Sequence, residues 1–264
     1  MPDISSIYMS ENNITPKITA LAITFNEEIN VKRYVESLAF VDEIIFIDSK
    51  STDKTIEIAL EMGVKVIERE FTNFSDQRNF AISQAKNDWI VFFDLDEIPT
   101  PALESEIKVI ISKSKDSIAF LVKRNFFFMD KHIRFGGWKN DKAIRVFNKN
   151  FCEYNGNLVH ESVKANGKIG LLQNRVNHYS YKNFDNYNNK LNLYSKLQAQ
   201  NLYQKKLKPT FYHFLFRPLY RFLWQYFFRL GILDRKEGFI LAYIHSFSVF
   251  KRYLQLWMLY RKIE

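Results

Sequence analysis

The sequence predicts an α/β protein with a mostly parallel sheet, followed by a C-terminal amphipathic helical extension. Three observations predict it. Between residues 18 and 95, short apolar runs alternate with stretches of helical spacing, the pattern of strands joined by crossover helices. Most of those runs end in polar clusters, at the strand edge where open α/β sheets bind ligands. Beyond residue 200 the composition changes: residues 201–264 hold twelve Lys/Arg, three Asp/Glu and 18 of the 43 aromatic residues. The first 200 residues balance 26 basic against 26 acidic side chains, so the formal net charge of +9 lies entirely in the last quarter.

Taken in order, Ile18 to Thr24 is a β-branched apolar run and reads as the first strand, with a helix from Asn30 to Leu38. Asp42 to Ile47 is the second strand, and Lys54 to Met62 a helix stopped by Gly63. Val64 to Ile67 is the third strand and Phe74 to Ala85 the third helix. Trp89 to Phe93 reads as a fully buried strand that ends abruptly in Asp94-Leu95-Asp96-Glu97. Pro101 opens the next helix, where its missing N–H costs nothing. Ile118 to Val122 and Ala143 to Phe147 are further strands, with a Gly136-Gly137 loop between them. The expected division is an N-terminal tail over 1–16, the α/β domain over 17–200 and the extension over 201–264.

A chain of 264 residues can bury a full core. Cys152 is the only cysteine, which excludes an internal disulfide and fits a reducing compartment. Residues 1–16 are polar and lack the basic and then apolar stretches of a secretory signal, so a cytoplasmic location is expected. No Gly-x-Gly-x-x-Gly or Gly-x-x-x-x-Gly-Lys-Ser/Thr occurs among the eight glycines. Dinucleotide-dehydrogenase and P-loop readings thereby lose their main support.

The polar clusters are Thr24, Asn26, Glu27 and Glu28 after the first strand; Asp48, Ser49, Ser51, Thr52 and Asp53 after the second; and Asp94, Asp96 and Glu97 after the fourth. Any one of them suits a turn or a helix cap, as Asp53 suits the helix that follows it. Three clusters on one edge point instead to a ligand. Asp94 and Asp96 stand at the end of a rigid strand, and carboxylate oxygens suit Mg²⁺ or Mn²⁺. Such an ion bridges phosphates and stabilises the charge that gathers on a departing diphosphate.

Ile23-Thr24-Phe25-Asn26-Glu27-Glu28, Ile47-Asp48-Ser49-Lys50-Ser51-Thr52-Asp53-Lys54-Thr55, Gln77-Arg78-Asn79 and Phe93-Asp94-Leu95-Asp96-Glu97 resemble, in order and spacing, the donor-site motifs of glycosyltransferase family 2, with its GT-A fold. Arg145-Val146-Phe147, Val159-His160-Glu161, His178-Tyr179-Ser180-Tyr181 and Leu230-Gly231-Ile232-Leu233-Asp234 resemble the branch that includes lipopolysaccharide-core glucosyltransferases. Arg235-Lys236 stands where that branch has a small residue. The resemblance implies an inverting, metal-dependent hexosyltransferase with a UDP-sugar donor, UDP-glucose foremost, and a lipid-linked or lipopolysaccharide-core saccharide acceptor. It implies that Thr24, Glu27 and Asp48 contact the base and ribose, with Asn26 in the same donor-binding set. Arg78 would lie near the base or diphosphate, Asp94 would hold the ribose or sugar, and Asp96 would bind the metal. Inverting transfer needs a general base for the acceptor hydroxyl, and Glu161 is the candidate. His178 is a candidate second metal ligand, with His160 an alternative; either would otherwise orient its loop. His132, Gly136, Gly137 and Trp138 are candidates for shaping the acceptor pocket.

In the extension, Arg217, Arg221, Gln225 and Arg229 fall at four-residue intervals and form one polar stripe on a helix. Phe214, Phe222, Trp224, Phe227 and Phe228 spread over the rest. Residues 238–250 carry no charge but are too few to span a bilayer. Basic, aromatic and non-spanning, the segment fits an interfacial helix on anionic lipid at the inner face of the cytoplasmic membrane; a helical hairpin packed on the protein is the alternative. Other functions fit less well. A nucleotidyltransferase would want a Gly-rich basic signature near the first strand, a nucleic-acid module would leave Asp94 and Asp96 incidental, and a scaffold would not need intact carboxylates. No nucleic-acid partner is expected.

Overall fold

The structure, a computed structural model, describes residues 16–113, 116–156, 162–181 and 184–263. Its first elements are β1 (Ile18–Thr24), α1 (Glu28–Glu36), β2 (Glu43–Asp48), α2 (Thr55–Glu61), β3 (Lys65–Glu68), α3 (Phe74–Gln84), β4 (Trp89–Phe92), β5 (Glu97–Pro99) and α4 (Pro101–Lys113). There follow β6 (Ser117–Phe128), β7 (Lys131–Ile133), β8 (Lys142–Asn148), β9 (Cys152–Tyr154), β10 (Val163–Ala165) and β11 (Lys168–Tyr181), then helices α5 (Phe184–Gln204), α6 (Phe211–Leu223) and α7 (Arg235–Arg261). The described residues divide into two compact units, one drawn from residues 16–122 and 143–175 and the other from residues 123–142 and 176–263.

The first unit is the α/β half. The main sheet runs β3-β2-β1-β4-β8-β6-β11-β5, with β7 paired to β6. Its first four strands are parallel; β1, β2 and β4 are largely buried apolar runs, while β3 at the edge is partly exposed. The β1–β2 register sets Thr24 beside Asp48, so two of the polar clusters emerge side by side. β8 runs antiparallel to β4, pairing Ile90 with Phe147 and Val91 with Val146. Leu21, Ile45, Ile47, Ile90, Phe92 and Phe147 form the core under Ala81 and Ile82 of α3.

Through α4 the elements lie close to the expected ranges, except that the short strand β5 was not expected. Past it, the run at Ile118 extends to Phe128, and β11 and α5 were not foreseen. Residue 200, where the composition changes, falls inside α5.

The second unit is built on α5, α6 and α7. One cluster joins Phe126, Phe128, Ile133, Tyr187 and Leu241; another joins Ala199, Val249, Tyr253 and Leu256. The polar stripe faces α7 only in part: Arg217 Nε donates to the Tyr253 hydroxyl (3.2 Å) and Gln225, just past α6, is buried against His245, while Arg217, Arg221 and Arg229 stay exposed. The aromatic side chains divide: Phe214 and Phe222 pack on Phe250 and Phe239 of α7, whereas Phe211 is 74% and Phe228 72% exposed. None of the described helices is long and apolar enough to cross a membrane. The Leu230-to-Asp234 motif has a structural role here. A Cβ on Gly238 would lie 1.8 Å from the Gly231 carbonyl oxygen, so this approach of two backbones needs a residue without one. Asp234 accepts from the backbone N–H groups of Arg134 (3.0 Å) and Phe135 (2.8 Å). Arg235, where a small residue is the expectation, has φ 57°, a conformation that favours glycine.

His245 lends this unit a pH dependence. Its Nδ1 donates to Gln225 Oε1 (2.7 Å), and its Nε2 accepts from the Tyr187 hydroxyl. Burial, then the charge of Arg221, pushes its pKa down to about 4. The unfolded chain binds a proton near pH 6.5 and the folded chain does not. Stability is therefore full above about pH 6.5 and falls by roughly 3 kcal/mol as pH drops to 4. Urea denaturation across that window should show the loss, and His245→Gln should flatten it; an unchanged slope would remove His245 as its source.

Candidate active site

The site begins with two loops that hold each other. Asp48 is fully buried at the end of β2; its Oδ2 accepts from Thr24 Oγ1 (2.6 Å) and Ser51 Oγ (2.6 Å), and its Oδ1 from Ser51 N (2.6 Å). Asn26 takes a left-handed backbone (φ 55°), tolerable for Asn. Its N–H donates to Ser51 Oγ (2.9 Å) and its Oδ1 accepts from Thr52 N (2.8 Å). Glu27 N donates to Thr55 Oγ1 (2.7 Å), while Glu27 Oε2 accepts from Asn30 Nδ2 (2.5 Å). Asp53 reaches both ways, accepting from Glu28 N (3.1 Å) and from Thr55 N (3.0 Å) at the start of α2. The cap and the site are thus one structure, in which Thr24, Asn26, Glu27 and Asp48 share a rigid rim.

The second half of the site is a charged network under the β4 end. The Asn73 side chain caps α3 by accepting from Asp76 N (2.9 Å), which sets Gln77 and Arg78 on its buried face. Gln77 reaches Ser49 Oγ (3.3 Å), linking α3 to the β2 loop. Arg78 donates to Asp94 Oδ1 (2.9 Å), and its guanidinium stands 5.1 Å from the Tyr154 ring centre. Arg145, from β8, donates to Asp94 Oδ2 (2.5 Å) and to Glu97 Oε1 (2.8 Å). Arg145 is 4% exposed and Glu97 is fully buried. Burial opposes the charge on Arg145, but Asp94 and Glu97 together hold its pKa well above the ordinary value. Glu97 Oε2 also accepts from Asp94 N (3.2 Å), and the buried Tyr34 hydroxyl donates to Phe93 O (3.0 Å), so the turn carrying Asp94, Leu95 and Asp96 is fixed from below.

Arg145 was missed as a site residue. The signal was present: one arginine inside the apolar run Ala143 to Phe147 must meet carboxylates if that strand is buried.

Asp96 is half-buried in the turn after β4. Among the described residues no three His, Cys, Asp or Glu side chains gather into a metal cage. A single carboxylate on a fixed turn still fits Mg²⁺ or Mn²⁺ bound chiefly through substrate phosphates and water, the habit of Mg²⁺ in phosphate chemistry. His178 belongs to the second unit, on β11, with Ser180 Oγ 2.7 Å from its Nε2. Glu161 and His160 lie outside the described residues. Of the candidate acceptor-pocket residues, Trp138 stacks on Phe126 at 3.9 Å between ring centres. Cys152 is buried and its thiol is pushed up to about 11 by burial, which leaves it inert as a nucleophile.

A parallel sheet whose carboxyl edge carries a braced polar rim beside an Arg–Asp–Arg–Glu network defines a GT-A nucleotide-diphospho-sugar transferase domain. Residues 19–155 match the profile of glycosyl transferase family 2. An uncharacterized glycosyltransferase of Rickettsia typhi is 32% identical over 91% of this chain and 86% of its own length. The chain belongs to glycosyltransferase family 2. It is also 24% identical to the lipopolysaccharide core biosynthesis glycosyltransferase LpsC of Rhizobium meliloti, over 89% of this chain and 93% of that protein. Among solved structures, glucosyl-3-phosphoglycerate synthase from Mycobacterium tuberculosis, in complex with Mn²⁺, UDP and glucosyl-3-phosphoglycerate, aligns with a TM-score of 0.37 and 25% identity over 42% of this chain and 44% of that one.

Proposed function

We propose that this glycosyltransferase moves a hexose, glucose foremost, with inversion from a UDP-sugar to a lipid-linked or lipopolysaccharide-core saccharide. The observation that carries the reading is the convergence of the Thr24–Asp48 rim and the Asp94–Asp96 turn on one sheet edge. Thr24, Asn26, Glu27 and Asp48 frame the nucleoside end of the donor, Asp48 acting through the hydroxyls that it positions. Arg78 and Asp94 hold the ribose and diphosphate region. Asp96 would hold Mg²⁺ or Mn²⁺, with His178 as a further candidate ligand, and the ion would offset the charge on the departing UDP. Glu161 takes the proton from the acceptor hydroxyl as its oxygen bonds the anomeric carbon and the bond to the diphosphate breaks. A peripheral position on the inner face of the cytoplasmic membrane suits a lipid-borne acceptor. The exposed aromatic surface of α6 and the basic extension support that location.

A binding screen of nucleotide-sugars with and without Mn²⁺ tests class, donor and metal together. UDP-glucose should bind best, and Mn²⁺ should tighten it. Asp96→Ala should fold normally and lose the Mn²⁺-dependent gain in both donor binding and turnover. A variant that keeps that gain would remove Asp96 from the metal site.

A further inference from the structure

The helical unit contains a cavity of about 470 Å³ among α5, α6 and α7. Arg217 and Arg221 reach it from α6 and Arg252 from α7, with Tyr194, Tyr220 and Tyr253 around them. No Asp or Glu lines it. Among the described residues none of these three arginines pairs with a carboxylate, and Arg252 Nε is buried without a hydrogen-bond partner. Arg217 is held in place by the Tyr253 hydroxyl.

Arg217 and Arg221 keep solvent exposure and Arg252 is half-buried, so the cavity is an open one lined by positive charge. Guanidinium groups stay charged in proteins, so three of them around one cavity repel each other. Burial, then the charges of Arg229 and Arg252, lowers the pKa of Arg221, and burial lowers that of Arg252 against the opposing pull of Tyr253, whereas the Tyr253 hydrogen bond raises that of Arg217. A fold that tolerates this gathers positive charge for something negative to offset. Guanidinium forks match phosphate oxygens in both geometry and charge. Tyr220 lines the cavity and is also 59% exposed, on the same helix as the exposed Phe216 and Leu219. The cavity thus opens beside an apolar surface.

We propose that this cavity is a phosphate-binding site, in which Arg221, Arg252 and the positioned Arg217 take the phosphomonoester or diphosphate group of a ligand. The site stands apart from the donor reading and does not depend on it. A lipid headgroup and a water-soluble phosphate present the same chemistry, and two arms of one experiment separate them. The full chain is titrated by calorimetry with inorganic pyrophosphate, and its partition onto phosphatidylcholine vesicles with and without phosphatidic acid is measured. Arg221→Gln/Arg252→Gln is compared with Lys205→Gln/Lys208→Gln, which removes the same charge from exposed positions of the same unit.

Pyrophosphate should bind the native chain and the lysine variant. The arginine variant should bind it more weakly by about tenfold for each arginine lost, the worth of a charge-assisted hydrogen bond. Without ligand, the arginine variant should melt no lower than the native chain, because a repulsion has been removed. A matching selective loss on phosphatidic acid vesicles assigns the phosphate to a lipid headgroup; a loss confined to pyrophosphate assigns it to a soluble ligand. Arg221→Lys keeps the charge without the fork and should weaken binding even if the double variant fails to fold. The proposal is overturned if the native chain binds neither probe, or if the arginine and lysine variants lose binding equally.

Discussion

Replacing Arg145 with methionine is expected to cost the α/β unit about 3–5 kcal/mol of stability, the usual penalty for breaking a buried ion pair from one side. Arg145 is the cation between Asp94 and Glu97, and Glu97 has no solvent exposure. Without Arg145 the Glu97 carboxylate must take up a proton or remain charged in an apolar interior, and both are costly. Asp94 would keep Arg78 but lose the partner on its other oxygen. Arg145→Lys should fall between, since lysine restores charge but cannot span two carboxylates with a planar fork. Urea denaturation of the three proteins measures the order. A methionine variant within about 1 kcal/mol of the native chain would mean that the pair is no stronger than a surface one.

Glu161→Gln is expected to leave donor affinity nearly unchanged and to slow transfer by about two to four orders of magnitude, the range that general-base catalysis supplies. The amide keeps the size and much of the hydrogen bonding of the carboxylate but cannot accept the acceptor proton. Donor binding and single-turnover transfer should therefore separate: a normal UDP-sugar titration beside a greatly slowed chemical step. If binding and rate decline together, Glu161 serves the donor site or the loop fold, and the base lies elsewhere.

The α/β half was legible because fully buried parallel strands leave unbroken apolar runs, as at Ile18 to Thr24 and Trp89 to Phe93, and the polar clusters after them stand at the sheet edge by construction. Beyond residue 113 the signal weakens for a physical reason. In β11, Lys168 to Tyr181, charged and amide side chains interrupt the apolar ones, so the strand has no continuous run, and its place beside β6 comes from pairing at long sequence range. α5 carries Asn and Lys along most of its length and is ordered by packing on α7 more than by its own periodicity.

By itself the sequence determined the strand–helix order through β4, the Asp94–Asp96 turn at a strand end and a basic, aromatic tail too interrupted to span a bilayer. Which charges would meet was decided by the tertiary structure. Arg145 finds Asp94 and Glu97 only because β8 runs antiparallel beside β4, and strand order is not written in local periodicity. The direction of the α6 stripe was decided in the same way. A helical wheel separates Arg217, Arg221 and Gln225 from the aromatic residues, but it cannot say which face turns inward. Here the inward side is mixed: Gln225 is buried against His245 and Arg217 reaches the Tyr253 hydroxyl, Phe214 and Phe222 pack on Phe250 and Phe239 of α7, and Arg217, Arg221 and several other aromatic side chains keep solvent exposure.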